Sequence, residues 1–249
     1  MGKALAICSG KGGTGKTSSA AALAASLAER GRLVMAIDCD VGLRNLDLVL
    51  GVSDKTVFDF CDVLEDRVSL DEAVCIHPMI PNLSVLSAPA MCSDADIDSA
   101  AFHALVCSAK DRFDYVILDA PAGIGPGFRL VVSCADEVVV VTNPDSSSLR
   151  DGQRTACEIG SLTDAKIWML VNRLRRSFVR RSGRNVDRMI DDLSIQLLGI
   201  VREDRDVMTA GDAGIPLKFY REPRVFSAAG QFDRIAARLD GERVRLGPV

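Results

Sequence analysis

The chain has 249 residues and a formal net charge of −4, and 48% of its residues are hydrophobic, which is typical of a globular protein rather than a disordered or fibrous one. The mild acidity argues neither for nor against a nucleic-acid partner, and no apolar run reaches the roughly 20 residues of a membrane-spanning helix. The eight cysteines contain no Cys-x-x-Cys pair, so we expect reduced thiols rather than disulfides or zinc ligands.

Apolar runs alternate with helical patterns along the chain, as they do in βαβ units. The apolar runs predict buried strands at 4–8, 33–38, 83–87, 115–119, 137–142, 167–172 and 197–201. Helical patterns occupy residues 17–30, 97–110, 146–160, 185–193 and 225–239. We therefore expect an α/β fold in one domain over residues 1–249, with a mostly parallel sheet flanked by helices on both faces.

The segment between the first strand and the first helix reads Gly-Lys-Gly-Gly-Thr-Gly-Lys-Thr-Ser at residues 10–18. Its glycines let backbone N–H groups surround an anion, and the helix N-terminus adds further donors. In such a loop, Lys16 reaches the β- and γ-phosphates and the Thr17 hydroxyl binds Mg²⁺. We therefore expect a P-loop NTPase three-layer sandwich that binds a nucleoside triphosphate through Gly12, Gly13, Thr14, Gly15, Lys16, Thr17 and Ser18.

Two other strand ends carry carboxylates. Asp38 and Asp40 follow the second strand, and Asp119 ends the strand at 115–119. Because the carboxyl ends of parallel strands meet at one edge, we expect these side chains to lie near Mg²⁺ and the attacking water. The alternative for the first pair is that one carboxylate only caps the next turn. After Asp119 we expect a mobile segment that senses the γ-phosphate, containing Gly123, Gly125 and Gly127.

Together these motifs resemble the MinD/ParA family of deviant Walker A ATPases, over residues 3–245. Lys11 matches the family's second lysine, and the segments at 38–47 and 119–124 resemble its two switches, most closely those of the MinD branch. Residues 142–151 resemble the strand end and helix start that follow the second switch in the family. Residues 171–173 resemble the family's segment that contacts adenine. We call residues 38–47 the first switch and residues 119–124 the second switch.

The resemblance implies an ATP-dependent homodimer in which Lys11 crosses to the partner's phosphates, as a cation supplied in trans. The alternative is that Lys11 binds phosphate in its own subunit or is only an exposed charge. The resemblance further implies that Asp40 orients the attacking water, while Asp38 and Asp119 support Mg²⁺ together with Thr17. The catalytic residues expected on this basis are Lys11, Lys16, Asp38 and Asp40, and the expected contacts with adenine are Asn172 and Arg173.

The implied function is an ATP-hydrolysing switch that regulates placement of the bacterial division septum. The implied partners are a MinC-like inhibitor and a MinE-like activator, and the implied location is cytoplasmic, with peripheral contact to the inner face of the cell membrane. Relatives end in an amphipathic membrane helix, but here Gly241, Gly247 and Pro248 oppose a helix after Leu239. We therefore expect a weak or absent anchor.

Two other functions remain open from the sequence. A ParA-like positioning ATPase would bind DNA through the arginines of the stretch 173–184, which are Arg173, Arg175, Arg176, Arg180, Arg181 and Arg184. The alternative for this arginine stretch is a solvated, charged loop that binds no DNA. An electron-transfer ATPase would need cysteines that ligate an iron–sulfur cluster, for which Cys92 and Cys134 are the candidates.

Two residues near the end of the chain carry further expectations. Arg202 stands where the family usually has proline, and it either stacks on the base or points to solvent, with solvent favoured. Phe226 lies in the apolar stripe of the last helical pattern, with Phe232, Ile235 and Leu239. The spacing predicts that this stripe packs onto the domain rather than onto a membrane.

Overall fold

The computed structural model describes residues 1–91, 96–175, 189–191 and 195–246. Over these residues one sheet contains the strands β1 (Lys3–Cys8), β2 (Val34–Asp38), β3 (Cys75–Ile76), β4 (Leu83–Leu86), β5 (Tyr115–Asp119), β6 (Glu137–Thr142), β7 (Lys166–Leu174) and β8 (Gln196–Arg202). Their order is β3-β4-β2-β5-β1-β6-β7-β8. All neighbours are parallel except β3 and β4, which are antiparallel. The seven predicted strands are confirmed, and the short edge strand β3 was missed.

The helices within the described residues are α1 (Lys16–Glu29), α2 (Leu46–Val49), α3 (Phe60–Leu64), α4 (Leu70–Ala73), α5 (Ser99–Arg112), α6 (Pro126–Ser133), α7 (Ser146–Leu162), α8 (Arg205–Asp212), α9 (Leu217–Tyr220) and α10 (Ala228–Leu239). Several begin at a side-chain cap: Asp98 accepts hydrogen bonds from N–H groups of α5, and Asp145 does the same for α7. Throughout the described ranges, no helix combines the length and the apolar character that crossing a bilayer requires.

Helices cover both faces of the sheet because successive strand residues point to opposite sides. On β1, Leu5 and Ile7 belong to the core that includes Leu23 of α1 and Phe232 of α10. Ala4 and Ala6 belong to the opposite core, which includes Phe102 of α5 and Phe128 of α6. The predicted three-layer α/β sandwich is therefore confirmed.

Two glycines bring the ends of α2 and α8 into direct backbone contact. A Cβ on Gly51 would lie only 1.8 Å from the carbonyl oxygen of Gly214. Both residues have positive φ angles, 67° and 61°, which glycine adopts without strain. The segment after the first switch is thus packed directly against the segment that follows β8.

The helix expected over 225–239 begins three residues later, at Ala228. The Ser227 hydroxyl accepts a hydrogen bond from the Gly230 N–H and so caps α10. Phe232 and Ile235 are buried as predicted, but Phe226 precedes the helix and is 52% exposed, so its assignment to the core was wrong. Of the helix expected at 185–193, residues 189–191 are helical, and the other residues of that range lie outside the described residues.

Candidate functional site

The three predicted strand ends meet at one edge of the sheet. β5 lies between β1 and β2, so the loop after β1, Asp38 at the end of β2 and Asp119 at the end of β5 are neighbours. Asp38 and Asp119 are paired in register on adjacent parallel strands, and both are fully buried. This edge is where parallel sheets bind ligands.

The loop after β1 has the backbone that an anion site requires. Gly13 and Gly15 have φ angles of 78° and 92°, and a Cβ on Gly12 or Gly13 would meet nothing within 4 Å. Gly15 precedes the first residue of α1, so the helix N-terminus points its free N–H groups into the loop. The space beside Gly12 and Gly13 is therefore open to an anion.

Asn172, near the end of β7, contacts the phosphate loop directly. Its amide nitrogen donates a 2.8 Å hydrogen bond to the carbonyl oxygen of Thr14, and its amide oxygen accepts one from the Arg173 N–H. A Cβ on Gly15 would lie 2.2 Å from the same amide nitrogen. The structure thus assigns Asn172 a second role besides its predicted contact with adenine, since it fixes the shape of the phosphate loop.

Lys16 is buried among the three carboxylates. Its ammonium donates a 2.8 Å hydrogen bond to Oδ1 of Asp119 and lies 3.8 Å from Oδ2 of Asp40. Burial lowers the pKa of Lys16, but the charge and hydrogen bond of Asp119, with Asp40 and Asp38, outweigh burial and raise it above its ordinary value. Lys16 is therefore a fixed cation with donors left for phosphate oxygens.

Asp38 anchors the first switch through both carboxylate oxygens. Oδ1 accepts a 2.9 Å hydrogen bond from the Asp40 N–H, and Oδ2 accepts one of 2.9 Å from the Leu46 N–H. Burial and the neighbouring charge of Asp119 raise the pKa of Asp38 to about 6, against these hydrogen bonds. The expectation that a carboxylate here caps the following turn holds for Asp38, beside its proposed role near Mg²⁺.

The donor set at this edge fits a hydrated magnesium ion. Oδ2 of Asp119 is buried without a hydrogen-bond partner. Thr17 is the second residue of α1. Among the residues described, no group of three or more histidine, cysteine, aspartate or glutamate side chains forms a metal site. Mg²⁺ suits such a place because it keeps several waters and takes one or two protein oxygens together with substrate phosphates.

The side chain of Lys11 extends from the phosphate loop to the start of α7. Its ammonium is 3.6 Å from Oδ1 of Asp145 and 3.3 Å from the Ser147 hydroxyl, and its side chain is 36% exposed. Burial raises the pKa of Asp145, but hydrogen bonds from Ser148 and the charge of Lys11 outweigh burial and lower it. Asp145 and Ser147 were not predicted as contacts, since only the docking of α7 brings them beside the loop.

A cavity of about 1240 Å³ extends from the phosphate loop along the ends of β7 and β8. Gly15 and Ser18 line it at the phosphate end, and α2 and α8 form one side. Asn172 lies next to Gly15, and Arg173 and residues 202–205 line the wall at the ends of β7 and β8. The cavity is large enough for a complete nucleotide, because ligand sites for molecules of drug size span about 300–1,000 Å³.

Comparison with known proteins gives the same family as the resemblance found in the sequence. A family model described as an AAA domain matches residues 2–165. The septum site-determining protein MinD of Synechocystis sp. is 38% identical over 245 residues, covering 98% of this chain and 91% of that protein. The chain belongs to the MinD family.

Solved structures of MinD proteins share the fold over nearly the whole chain. In the MinC:MinD cell division protein complex of Aquifex aeolicus, the matching chain is 33% identical with a TM-score of 0.90, and the match covers 99% of each chain. The MinD complexed with Mg-ADP from Pyrococcus horikoshii is 29% identical with a TM-score of 0.85, over 96% of each chain. The sequence-based assignment to this family is therefore confirmed.

The segment that follows the second switch is helical, where we expected a mobile glycine-rich segment. Gly125 caps α6, Pro126 occupies the first turn, and Gly127 is a buried helical residue. The helix forms because proline is favoured in a first turn, where its missing N–H costs nothing. Gly123, with a φ of 86°, remains in the loop, and its N–H donates to the Ser9 carbonyl oxygen.

The alternative functions depend on residues that the structure describes only in part. Arg173 and Arg175 are exposed, and Arg175 is paired with Glu203; Arg176, Arg180, Arg181 and Arg184 lie outside the described residues. Cys134 is buried, which raises the pKa of its thiol to about 12, and such a thiol is a poor thiolate ligand. Cys92 lies outside the described residues.

Asp47, in the first turn of α2, is a buried residue that sequence reasoning missed. Its Oδ2 accepts hydrogen bonds from Nε of Arg44 at 2.6 Å and from the hydroxyls of Ser87 at 3.1 Å and Thr56 at 3.3 Å. Arg44 adopts a positive φ of 44°. This carboxylate fastens the end of the first switch to the end of β4, and the motif Asn-Leu-Asp alone gave no sign of it.

Proposed function

We propose that this chain is an ATP-dependent dimerising ATPase of the MinD type, which hydrolyses ATP to ADP and phosphate and regulates placement of the division septum. The observation that carries the proposal is the buried Lys16, bonded to Asp119 and close to Asp40 beneath a loop that contains a second lysine. Membership of the MinD family supports it, since the relatives are septum site-determining proteins. We further infer that residues 1–249 act as one domain.

Different residues at the strand ends bind the phosphates, the base and Mg²⁺. Backbone N–H groups of residues 12–18 and the Lys16 ammonium hold the phosphates, while Asn172 and Arg173 contact the base. Thr17, Asp38 and Asp119 would hold Mg²⁺. When bound, Mg²⁺ neutralises charge on the β- and γ-phosphate oxygens. A relative complexed with Mg-ADP supports this choice of cofactor.

Hydrolysis then needs a positioned water and a further cation. Asp40 lies beside Lys16 at the mouth of the site, with 15% of its side chain exposed, so it can orient a water toward the γ-phosphate. Lys11 supplies its positive charge to the partner subunit across the dimer interface. Because the γ-phosphate is needed for that contact, ATP favours the dimer and hydrolysis releases it.

The same proposal gives partners and location. The partners are a MinC-like inhibitor, as in the solved MinC:MinD complex, and a MinE-like activator. The protein acts in the cytoplasm and, in its dimeric form, at the inner face of the membrane. The alternative of a DNA-bound ParA-like ATPase has less support, because relatives that match over nearly the whole chain are septum site-determining proteins.

The test is a pair of measurements on the Asp40→Ala protein with its full native C-terminus, in ATP or in ADP. Light scattering should show a dimer in ATP and a monomer in ADP. Co-sedimentation with anionic liposomes tests the membrane contact: ATP-dependent pelleting would support it, and a dimer that does not pellet would be a soluble switch. An ATP-dependent dimer that pellets with DNA but not with liposomes would contradict the septum-placing function in favour of the alternative. A monomer in both nucleotides would contradict the dimerising switch itself.

A further inference from the structure

A closed turn over residues 40–44 holds Asp40 within the first switch. The carbonyl oxygen of Asp40 accepts hydrogen bonds of 3.2 Å from the N–H groups of Leu43 and Arg44, and these bonds close the turn. The N–H of Asp40 donates to Oδ1 of Asp38, so the backbone of Asp40 is fixed through both its N–H and its carbonyl group. The direction in which the Asp40 carboxylate points therefore depends on the shape of this turn.

Arg44 ends the turn in a backbone conformation that favours glycine. Its φ angle is 44°, in the left-handed region where Cβ comes close to the backbone carbonyl oxygen. Gly42, two residues earlier, has a φ of 82° and adopts the same region without strain. A residue with a side chain keeps such a conformation only where the surrounding contacts hold it. The contacts of the Arg44 side chain therefore decide whether the turn keeps its shape.

The guanidinium of Arg44 is bonded to residues outside the turn. Its Nε donates a 2.6 Å hydrogen bond to Oδ2 of Asp47, which is buried in α2. One terminal nitrogen donates to the hydroxyl of Thr56 at 2.6 Å and to the carbonyl oxygen of Thr56 at 3.2 Å. Oδ2 of Asp47 also accepts a 3.1 Å hydrogen bond from the hydroxyl of Ser87, the residue that follows β4. Arg44 thus connects the turn to the buried end of β4 through Asp47.

We propose that Arg44 and Asp47 are positioning residues for hydrolysis, whose ion pair keeps the turn closed so that the Asp40 carboxylate stays beside Lys16. This inference rests on the proposed function, and it names the residues that set the place of the group that orients the water. Within the described part of the chain, the Arg44 guanidinium bonds Asp47 and Thr56 and no residue of the phosphate loop. Its effect on the reaction therefore passes through Asp40.

The first test measures turnover and nucleotide binding separately in two variants of Arg44. Arg44→Gly adopts the left-handed backbone without strain, so a loss of turnover in it reports the missing guanidinium and not the backbone conformation. Arg44→Lys keeps the charge but lacks the planar group that bonds Asp47 and Thr56 together. In both variants we expect kcat to fall by a factor on the order of ten to a hundred, as when a catalytic group is displaced by about 1 Å, while the affinity for a non-hydrolysable ATP analogue stays within about threefold.

The second test repeats Arg44→Gly in the Asp40→Ala protein, in a single-turnover assay at a concentration where light scattering shows the dimer. Once the Asp40 carboxylate is gone, Arg44 has nothing left to position, so we expect Arg44→Gly to cause no further loss of turnover. Asp47→Asn keeps the shape of the side chain but removes the charge that pairs with Arg44. Its loss of turnover should likewise disappear in the Asp40→Ala protein. A purely structural role would lower turnover by the same factor with and without Asp40.

The matched control is Arg67→Ala, because Arg67 is an exposed arginine that pairs with Asp62 and Glu65, and it should keep full turnover. Urea unfolding shows that each variant is folded under the assay conditions.

Three results would overturn the inference while leaving the proposed function intact. They are unchanged kcat in Arg44→Gly, an equal loss of turnover with and without Asp40, and a loss of nucleotide affinity as large as the loss of turnover. Normal turnover in Asp40→Ala alone would instead contradict the role of Asp40 in the proposed function, and the inference with it.

Discussion

The ammonium of Lys16 donates a 2.8 Å hydrogen bond to Oδ1 of Asp119, and both side chains are buried. Lys16→Ala removes the phosphate-binding cation and leaves a buried carboxylate without its partner. We expect loss of Mg·ATP binding and of ATP-dependent dimerisation, together with a fall of about 3–5 kcal/mol in the free energy of unfolding. Light scattering in ATP and urea unfolding measure the two effects.

The matched control for Lys16 is the exposed Lys55. Lys55→Ala should keep both the ATP-driven dimer and the stability of the unsubstituted protein, within about 0.5 kcal/mol. A Lys16→Ala protein that still dimerises fully in ATP would contradict the assignment of the phosphate loop.

Asp40→Ala should separate ATP binding from ATP hydrolysis. The substitution removes the carboxylate that we propose orients the water, but it leaves Lys16 bonded to Asp119. We expect ATP affinity to stay within about threefold and turnover to fall by a factor on the order of a hundred or more, as for general-base groups. Phosphate release and the lifetime of the dimer are the measurements. Turnover at the normal rate would exclude this role for Asp40.

Lys11→Ala tests whether the second lysine acts across the dimer. Its ammonium contacts Asp145 and Ser147 of its own chain, so ATP affinity of the monomer should change little. Hydrolysis should fall on the order of a thousandfold, as when a cation supplied in trans is lost.

Mixing subunits decides between action in trans and in the same subunit. A dimer of one Lys11→Ala subunit and one Asp40→Ala subunit has one site with Asp40 present and with Lys11 supplied by the other subunit. The mixture should therefore regain hydrolysis if Lys11 acts in trans. No recovery, despite a dimer in light scattering, would place Lys11 in its own subunit's site.

His77 should make stability depend on pH. It is buried, its Nε2 bonds the Leu50 carbonyl oxygen at 2.9 Å, and its Nδ1 accepts the Met79 N–H at 3.1 Å. Burial lowers the pKa of His77 below 6.5, despite the Leu50 carbonyl. Because the folded state then binds a proton less readily than the unfolded state, the free energy of unfolding should fall as pH drops below about 6.5.

Urea unfolding between pH 7.5 and pH 5 measures this dependence. We expect His77→Gln to lose less stability over that range than the unsubstituted protein loses. His103, the other histidine of the chain, is only partly buried, and His103→Gln should follow the unsubstituted protein. Identical slopes for all three proteins would mean that His77 is not the responsible group.

Asp47→Ala should destabilise the protein by about 2–4 kcal/mol, since it leaves Arg44, Thr56 and Ser87 without their shared acceptor. The exposed Asp54, seven residues further on, is the control, and Asp54→Ala should change stability by at most about 0.5 kcal/mol. Equal effects of the two substitutions in urea unfolding would contradict a structural role for Asp47.

The sequence predicted the parallel strands because each has a strong local pattern, whereas the two switches were named from the family resemblance. Buried strands appear as apolar runs, and Lys16, Asp38 and Asp119 stand at the ends of such runs, where topology brings them together. The helices α2, α3 and α4 were missed because four or five residues are too few to show helical periodicity. α6 was missed because the Gly-Pro-Gly sequence is typical of a loop, although Pro126 in fact starts a helix.

Contacts between distant segments could not be predicted in the same way. Lys11 and Ser147 are 136 residues apart, and they meet only because α7 docks beside the phosphate loop. Arg202, which we expected to point to solvent, instead packs its guanidinium on the Phe226 ring. That contact depends on where α10 begins, which is set by the cap at Ser227. The functional roles of the site residues remain predictions, to be decided by the variants described above.

The contact between Gly51 and Gly214 has a practical consequence for protein engineering. A methyl group at position 51 would lie 1.8 Å from the carbonyl oxygen of Gly214. The substitution Gly51→Ala would therefore force α2 away from α8. A fluorescent label or a cross-linker attached at residue 51 or residue 214 would separate α2 from α8 and so distort the nucleotide cavity, which both residues line. Probes intended to follow the first switch should be attached nearby at an exposed residue that does not line the cavity, such as Lys55.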